Sequence, residues 1–226
     1  MTVSTRSDTS PQLHYYRNAG FGQFVLEQEV DLDQIAVDIA VGDVFVDGRL
    51  DLIALHDEGL FSVVPRFAQP FSTPISFESA GTDEIVVGRF NGDDYLDLAT
   101  VSRPSILGTG SLGIHLNGTL PADLTSLVGS FALESGVLAS STLFPSPVTE
   151  FDSTQIGGAP GAVAAGDFNG DGIQDAAIVG MDNGNDGENV VISYGDGSGN
   201  LVPRQVIPLV TDFRGGPTPF ITAGDF

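Results

Sequence analysis

Between Gly166 and Asp175 the chain reads GDFNGDGIQD, and its oxygen-bearing side chains fall on alternate residues. With Asp167 as position one, Asn169, Asp171 and Asp175 stand at positions three, five and nine, and the carbonyl of Ile173 at position seven. Alternate residues of a tightly curled loop point inward, so four side chains and one carbonyl can surround one ion. Three carboxylates with two neutral oxygens form a hard, all-oxygen set, which suits Ca2+ better than the smaller and stricter octahedron of magnesium. Gly170 and Gly172 permit the curl. An EF-hand or dockerin-like loop starts with the same spacing but requires a ligand at position twelve and a following helix. Position twelve here is Ile178, inside the apolar run DAAIVG. The plainer reading is an Asp/Gly turn without an ion, and the recurrence of the spacing and its flanks argues against it.

The phrase recurs. AVGDVFVDGRLDLIAL from Ala40, VVGRFNGDDYLDLATV from Val86 and AAGDFNGDGIQDAAIV from Ala164 align without gaps, and TAGDF from Thr222 repeats the opening. First positions are therefore Asp43, Arg89, Asp167 and Asp225, at irregular intervals. The first loop keeps Asp43, Asp47 and Asp51 with the Arg49 carbonyl, while Phe45 takes position three, so a water must fill one place on the ion. The second keeps Asn91, Asp93, the Tyr95 carbonyl and Asp97, but Arg89 takes position one. A guanidinium beside two carboxylates can replace the ion with salt bridges, and the metal and metal-free readings of this loop stand nearly even. The fourth copy offers Asp225 alone, as one ligand of a truncated site.

Composition agrees with cation chemistry. The formal net charge is -22, and all eight basic residues are arginines. Such a surface repels phosphate backbones and anionic lipid, which speaks against nucleic acid as a partner. No apolar run approaches the roughly 18 residues of a membrane span, so no membrane insertion is expected. Cysteine is absent, which excludes disulfides, thiolate metal sites and a Cys nucleophile. The polar opening MTVSTRSDTSPQ does not read as a secretory leader; residues 1–12 read as disordered or linker, and either the protein is cytosolic or its true N-terminus is missing.

What must hold the loops is a set of short strands. Each window is an apolar run ending in Gly, an acidic turn and a second apolar run, which is a hairpin. Two more strand-like segments follow, GLFSVVPRF and PISFES in the first unit, ENVVISYG and LVPRQVIPLV in the third, the latter pair joined by DGSGN. Four strands in up-and-down order make a propeller blade. The expected architecture is an all-β, partial β-propeller, with residues 13–34 as the second half of a blade around an Asn/Gly turn. Blades follow at 35–80, 81–160 and 161–212, with the first strand of another at 213–226. The middle blade carries a long insertion within Thr119 to Pro160.

On these residues the chain resembles the FG-GAP/VCBS repeat family, the calcium-binding blades of integrin alpha-type propellers and of many bacterial surface proteins. GDFNGDGIQD matches the family phrase throughout, and YGDGSGNL resembles its later hairpin. The resemblance covers nearly the whole chain; Phe45 and Arg89 depart from it. It implies an extracellular or cell-surface, non-catalytic module in which calcium rigidifies the hairpins while other loops bind a glycan or protein, the remainder of the propeller being a further partner. The alternative is the propeller part of a polysaccharide-degrading enzyme, a lyase or glycoside hydrolase; no carboxylate pair, Ser elbow or zinc motif singles out a catalytic centre. GTGSLG at Gly108 to Gly113 leads into IHLNGT and not a helix, so it makes no dinucleotide site. His14, His56 and His115 lack metal spacing and read as packed or half-exposed residues. Asn117 opens an NGT sequon of small weight, and Phe168 is expected to pack inward.

Overall fold

In the computed structural model the described residues are 11–66, 73–103, 110–118, 144, 149–152, 159–181, 188–209 and 220–224. They form β-strands and, among the described residues, no helix. A hairpin comes first, β1 (Gln12–Gly20) and β2 (Gln23–Asp31). The first full sheet holds β3 (Ala36–Gly42), β4 (Asp51–His56), β5 (Leu60–Val64) and β6 (Ile75–Glu78). The second holds β7 (Glu84–Gly88), β8 (Asp97–Ser102), β9 (Ser111–His115) and β10 (Thr149–Asp152), and the third β11 (Ala159–Gly166), β12 (Asp175–Met181), β13 (Glu188–Gly195) and β14 (Leu201–Pro208). All pairings are antiparallel and each full sheet runs in chain order, so the fold is all-β with four separate sheets, none closed on itself.

The second strands explain the stacking. β4 is buried at every residue, a run without polar alternation that must be covered on both faces. Leu52 and Ala54 pack toward the hairpin with Leu13, Val30 and Leu32, while Ile53 and Leu55 pack toward the second sheet with Ile85 and Leu98. β8 and β12 meet in the same way through Ala99, Val101, Ala176 and Ile178. Three cores thus lie between consecutive sheets, and the outermost strand β14 is exposed beyond Leu201. Phe144, within the long insertion, closes the second core edge-on against Phe61 and Phe77 at 5.2 and 5.3 Å. The rest of that insertion lies mostly outside the described residues.

Hairpin β1–β2 turns at Phe21–Gly22, where Asn18 Oδ1 accepts the Gly20 N–H, Gly20 pairs with Gln23, and Gly20 and Gly22 take positive φ. His56 and His115 are buried: His56 Nε2 lies 2.8 Å from Ser62 Oγ, and His115 Nε2 2.9 Å from Thr100 Oγ1. The sequon fails on exposure, since Asn117 is 2% exposed and donates its Nδ2 to the Val44 carbonyl. Gly110 to Gly113 run into β9, so no helix follows the glycine-rich phrase.

The first strands β3, β7 and β11 lie side by side across the sheets, tied by acids in equivalent places. Asp38 Oδ2 accepts the Ile85 N–H at 3.0 Å, and Glu84 Oε2 accepts the Val163 N–H at 3.3 Å. Burial first, then the nearby charges of Asp38 and Asp83, push the Glu84 carboxyl up to about 7, against the lowering effect of the Val163 N–H and Arg103. A carboxyl raised from its ordinary 4.5 stabilises the fold fully only below that value, and the contribution is lost as pH rises through 7. Glu84→Gln, which keeps an acceptor for Val163, is therefore expected to be more stable than the parent at pH 8, by on the order of 1 kcal/mol after allowance for solvent screening. At pH 4 the two should match. Equal urea midpoints at both pH values would refute this assignment.

Candidate metal loops

Each loop joins the first and second strand of its sheet, and the ladder sets the closing pair identically. Gly42 pairs with Asp51, Gly88 with Asp97 and Gly166 with Asp175. The position-nine aspartates are fully buried. In the third loop Asp175 Oδ2 accepts the Phe168 N–H at 2.8 Å and Oδ1 the Gly195 N–H at 2.9 Å. Asp97 does the same with Phe90 and Asn117, both at 2.8 Å, and Asp51 with Val44 at 3.0 Å and Arg66 at 2.8 Å. One carboxylate thus pins the loop's second residue and the end of the third strand together. Burial pushes the Asp51 and Asp97 carboxyls up to about 6, opposed by those same N–H groups.

Within the curl the remaining side chains cap the backbone. Asp167 accepts the N–H groups of Gly170 at 2.7 Å, Asp171 at 3.2 Å and Gly172 at 2.9 Å. The Gly172 bond is the largest cause holding its carboxyl below the usual carboxylate range. Asn169 Oδ1 accepts from Asp171 N–H and Asp171 Oδ1 from Ile173 N–H, both at 2.8 Å. The second loop repeats these turns with Asn91, Asp93 and Tyr95. The first has Asp43 accepting from Asp47 and Gly48, and Asp47 from Arg49. The three loops share the closing pair and a left-handed residue at position four, Val46, Gly92 or Gly170; the first and third share a second one at position six, Gly48 and Gly172, where the second loop has Asp94 outside that region.

Among the described residues no group of three or more His, Asp or Glu side chains already surrounds a common point. The oxygens are turned toward backbone amides, and an ion would have to share or displace those bonds. The donor set nonetheless fits a hard cation in the third loop, where carboxylates, an amide oxygen and a carbonyl stand within one curl. In the first loop Phe45 packs against the core between the first two sheets, so position three is spent on apolar contact. In the second, Arg89 makes no ion pair with the loop carboxylates, which removes the salt-bridge alternative for this loop; its backbone carbonyl accepts the Gln174 N–H at 3.2 Å. Asp225 lies outside the described residues.

Phe168 departs from its expected inward packing. Its counterparts Val44 and Phe90 are 0% and 1% exposed because the following sheet covers them, while Phe168 is 40% exposed. Its ring folds back over Gly166, where a Cβ would stand 2.9 Å from it. Two features were missed from sequence: the interstrand latch of Asn117, and Asp196, whose Oδ1 accepts from Ser198 and Asn200 in the DGSGN turn. The latter could have been found from the Asp-x-Ser spacing of an Asx turn.

Two outcomes follow from this geometry. Asp97→Ala leaves two buried N–H groups without an acceptor and is expected to lower the unfolding free energy by about 2–4 kcal/mol, with chelator present as well as without. A loss seen only with calcium would contradict the clasp. Val46 sits at φ 55 in the place Gly92 and Gly170 hold in the other loops. Val46→Gly should relieve ~1–2 kcal/mol of left-handed strain, partly offset by glycine's entropy, for a net gain of about 0.5 kcal/mol by thermal denaturation.

No protein-family model matches the chain and no curated protein matches it, so what the loops do rests on their own geometry and chemistry.

Proposed function

We propose that the chain is a calcium-binding repeat module of propeller type, resembling FG-GAP/VCBS repeats, that acts by binding a glycan or protein outside the cell and carries no catalytic centre of its own. The observation that supports it most is the threefold recurrence of a loop closed by the same buried aspartate, on sheets of one strand order whose first strands adjoin. Recurrence under sequence divergence argues for a unit that is repeated for its geometry. Side-by-side first strands, with outer strands facing away, are what a propeller requires around its axis.

Asp167, Asn169, Asp171, the Ile173 carbonyl and Asp175 would hold the third-loop ion; Asp43, Asp47, the Arg49 carbonyl and Asp51 the first; Asn91, Asp93, the Tyr95 carbonyl and Asp97 the second, most weakly. Bound calcium would offset the mutual repulsion of close carboxylates and stiffen the hairpin. Affinity of the ~10⁻⁴ to 10⁻³ M class suits an extracellular setting.

Titration calorimetry of the whole chain with CaCl₂ is expected to show saturable binding, and Asp171→Ala to remove the tightest site. Asp171 is exposed and caps only a local turn, so the variant should keep its urea midpoint in chelator. A parent without saturable calcium heat, or an Asp171→Ala variant that binds as the parent does, would end the metal reading.

A further inference from the structure

Four Asn-Gly pairs stand in the chain, Asn91–Gly92, Asn117–Gly118, Asn169–Gly170 and Asn183–Gly184, the last outside the described residues. Asparagine followed by glycine can close on itself: the glycine nitrogen attacks the side-chain amide carbon, and the missing Cβ leaves that approach unhindered. Two of the pairs occupy positions three and four of the candidate metal loops, and their asparagines are held alike. Asn91 Oδ1 accepts the Asp93 N–H at 3.1 Å, and its Nδ2 donates to Asp93 Oδ2 at 2.8 Å. Asn169 makes the same two bonds with Asp171, at 2.8 and 2.9 Å. Both glycines take positive φ, 73 at Gly92 and 81 at Gly170. The loops differ at the attacking nitrogen. The Gly170 N–H donates to Asp167 Oδ1 at 2.7 Å, whereas Arg89 takes that position in the second loop and, among the described residues, no acceptor holds the Gly92 N–H.

We propose that Asn91 is a self-modifying site, at which the Gly92 nitrogen converts the side-chain amide to a carboxylate with water as the one co-reactant. The inference rests on the loop's own geometry and is independent of calcium. Loss of the Gly92 proton to solvent base frees the nitrogen electron pair, which forms the bond to Asn91 Cγ. The Asp93 N–H already bonded to Oδ1 steadies the oxyanion of the tetrahedral stage. Collapse breaks the Cγ–Nδ2 bond, and the departing nitrogen takes a proton from water to leave as ammonia. Water then opens the cyclic imide at either carbonyl, leaving aspartate or isoaspartate. The sum is amide plus water to acid plus ammonia, with nothing oxidised or reduced.

Charge at position one decides which pair reacts. A carboxylate accepting the Gly170 N–H holds the proton in place and opposes negative charge on the nitrogen, and a cation at that position does neither. Asp167 also accepts from Asp171 and Gly172, so the third curl is tied at three amides by a residue the second loop lacks. Gly92 is exposed, and solvent base reaches its N–H. Asn117 is 2% exposed with its Nδ2 on the Val44 carbonyl, which shuts base out. At Asn91 the product replaces a donor to Asp93 with an anion, in a loop that already holds Asp93, Asp94 and Asp97.

The whole protein, held in chelator at pH 8 and sampled by peptide mapping with mass spectrometry, reads the conversion at each asparagine. Asn91 is expected to convert at least about tenfold faster than Asn169, the factor that a hydrogen bond to a charged acceptor supplies, and Asn117 most slowly of the three. In urea the three rates should converge, because the difference lies in the fold. Arg89→Asp, which restores the acceptor, should slow Asn91 at least about tenfold, while Arg89→Ala, which supplies none, should stay within about twofold of the parent. Conversion of Asn169 or Asn117 as fast as that of Asn91 in the folded chain would overturn the proposal, as would an Arg89→Asp variant as labile as the parent. Should Arg89→Asp disturb the loop, the comparison of the three pairs in the parent decides the question. Loss of calcium binding would leave this result untouched, and a stable Asn91 would leave the calcium loops untouched.

Discussion

A single buried carboxylate at the end of each loop carries the organisation of its sheet. Asp51, Asp97 and Asp175 each spend both oxygens on backbone N–H groups, one from the loop and one from the end of the third strand. A carboxylate without exposure is costly unless hydrogen-bonded, and the cost explains why it is placed where two otherwise orphaned amides converge. Remove it and the loop, the second strand and the third strand lose their common anchor. In the third loop its neighbours Asp167, Asn169 and Asp171 are exposed and cap only local turns, whereas in the first loop Phe45 packs on the core.

That division accounts for how the loops diverge. Position three is Asn169, Asn91 or Phe45, and position one is Asp167, Arg89 or Asp43, yet each loop turns left-handed at position four and closes on the same Gly–Asp pair. The buried acid supplies the closure, so the other positions can change chemistry without undoing it. Phe45 makes a core contact where the other loops carry Asn, and Arg89 stands where they carry Asp, while its backbone carbonyl accepts the N–H of Gln174 in the third loop. Val46 shows the cost of divergence: a β-branched residue held where its counterparts are glycine.

Between sheets the constraint is apolar burial on both faces of the second strand, sealed by polar latches at the rims. Asp38 and Glu84 join successive first strands, and Asn117 and Gly199 reach back to the carbonyls of Val44 and Phe90. Where a following sheet covers position two the residue is fully buried; Phe168, without such cover among the described residues, stays 40% exposed although its ring lies on Gly166 as that of Phe90 lies on Gly88. Exposure of this residue is thus set by its neighbour and not by its type.

The amino-acid pattern alone determined the hairpins, because an apolar run broken by an Asp/Gly turn has one favourable local course, and it determined the all-β class, because the unbroken apolar runs DLIALH and DAAIVG demand cover on two faces. It also placed the candidate ligands on one curl, since alternate spacing is a local property. Tertiary structure decided the rest. Asp175 is indistinguishable from Asp171 by residue type, yet only the converging amides of Phe168 and Gly195 make it a clasp. Asn117 reads as a glycan acceptor until the neighbouring sheet buries it against Val44, and Phe144 sits in an unpatterned insertion until it meets Phe61 and Phe77. Such roles depend on groups far away along the chain, and no spacing within a loop can encode what the next sheet will bring to it.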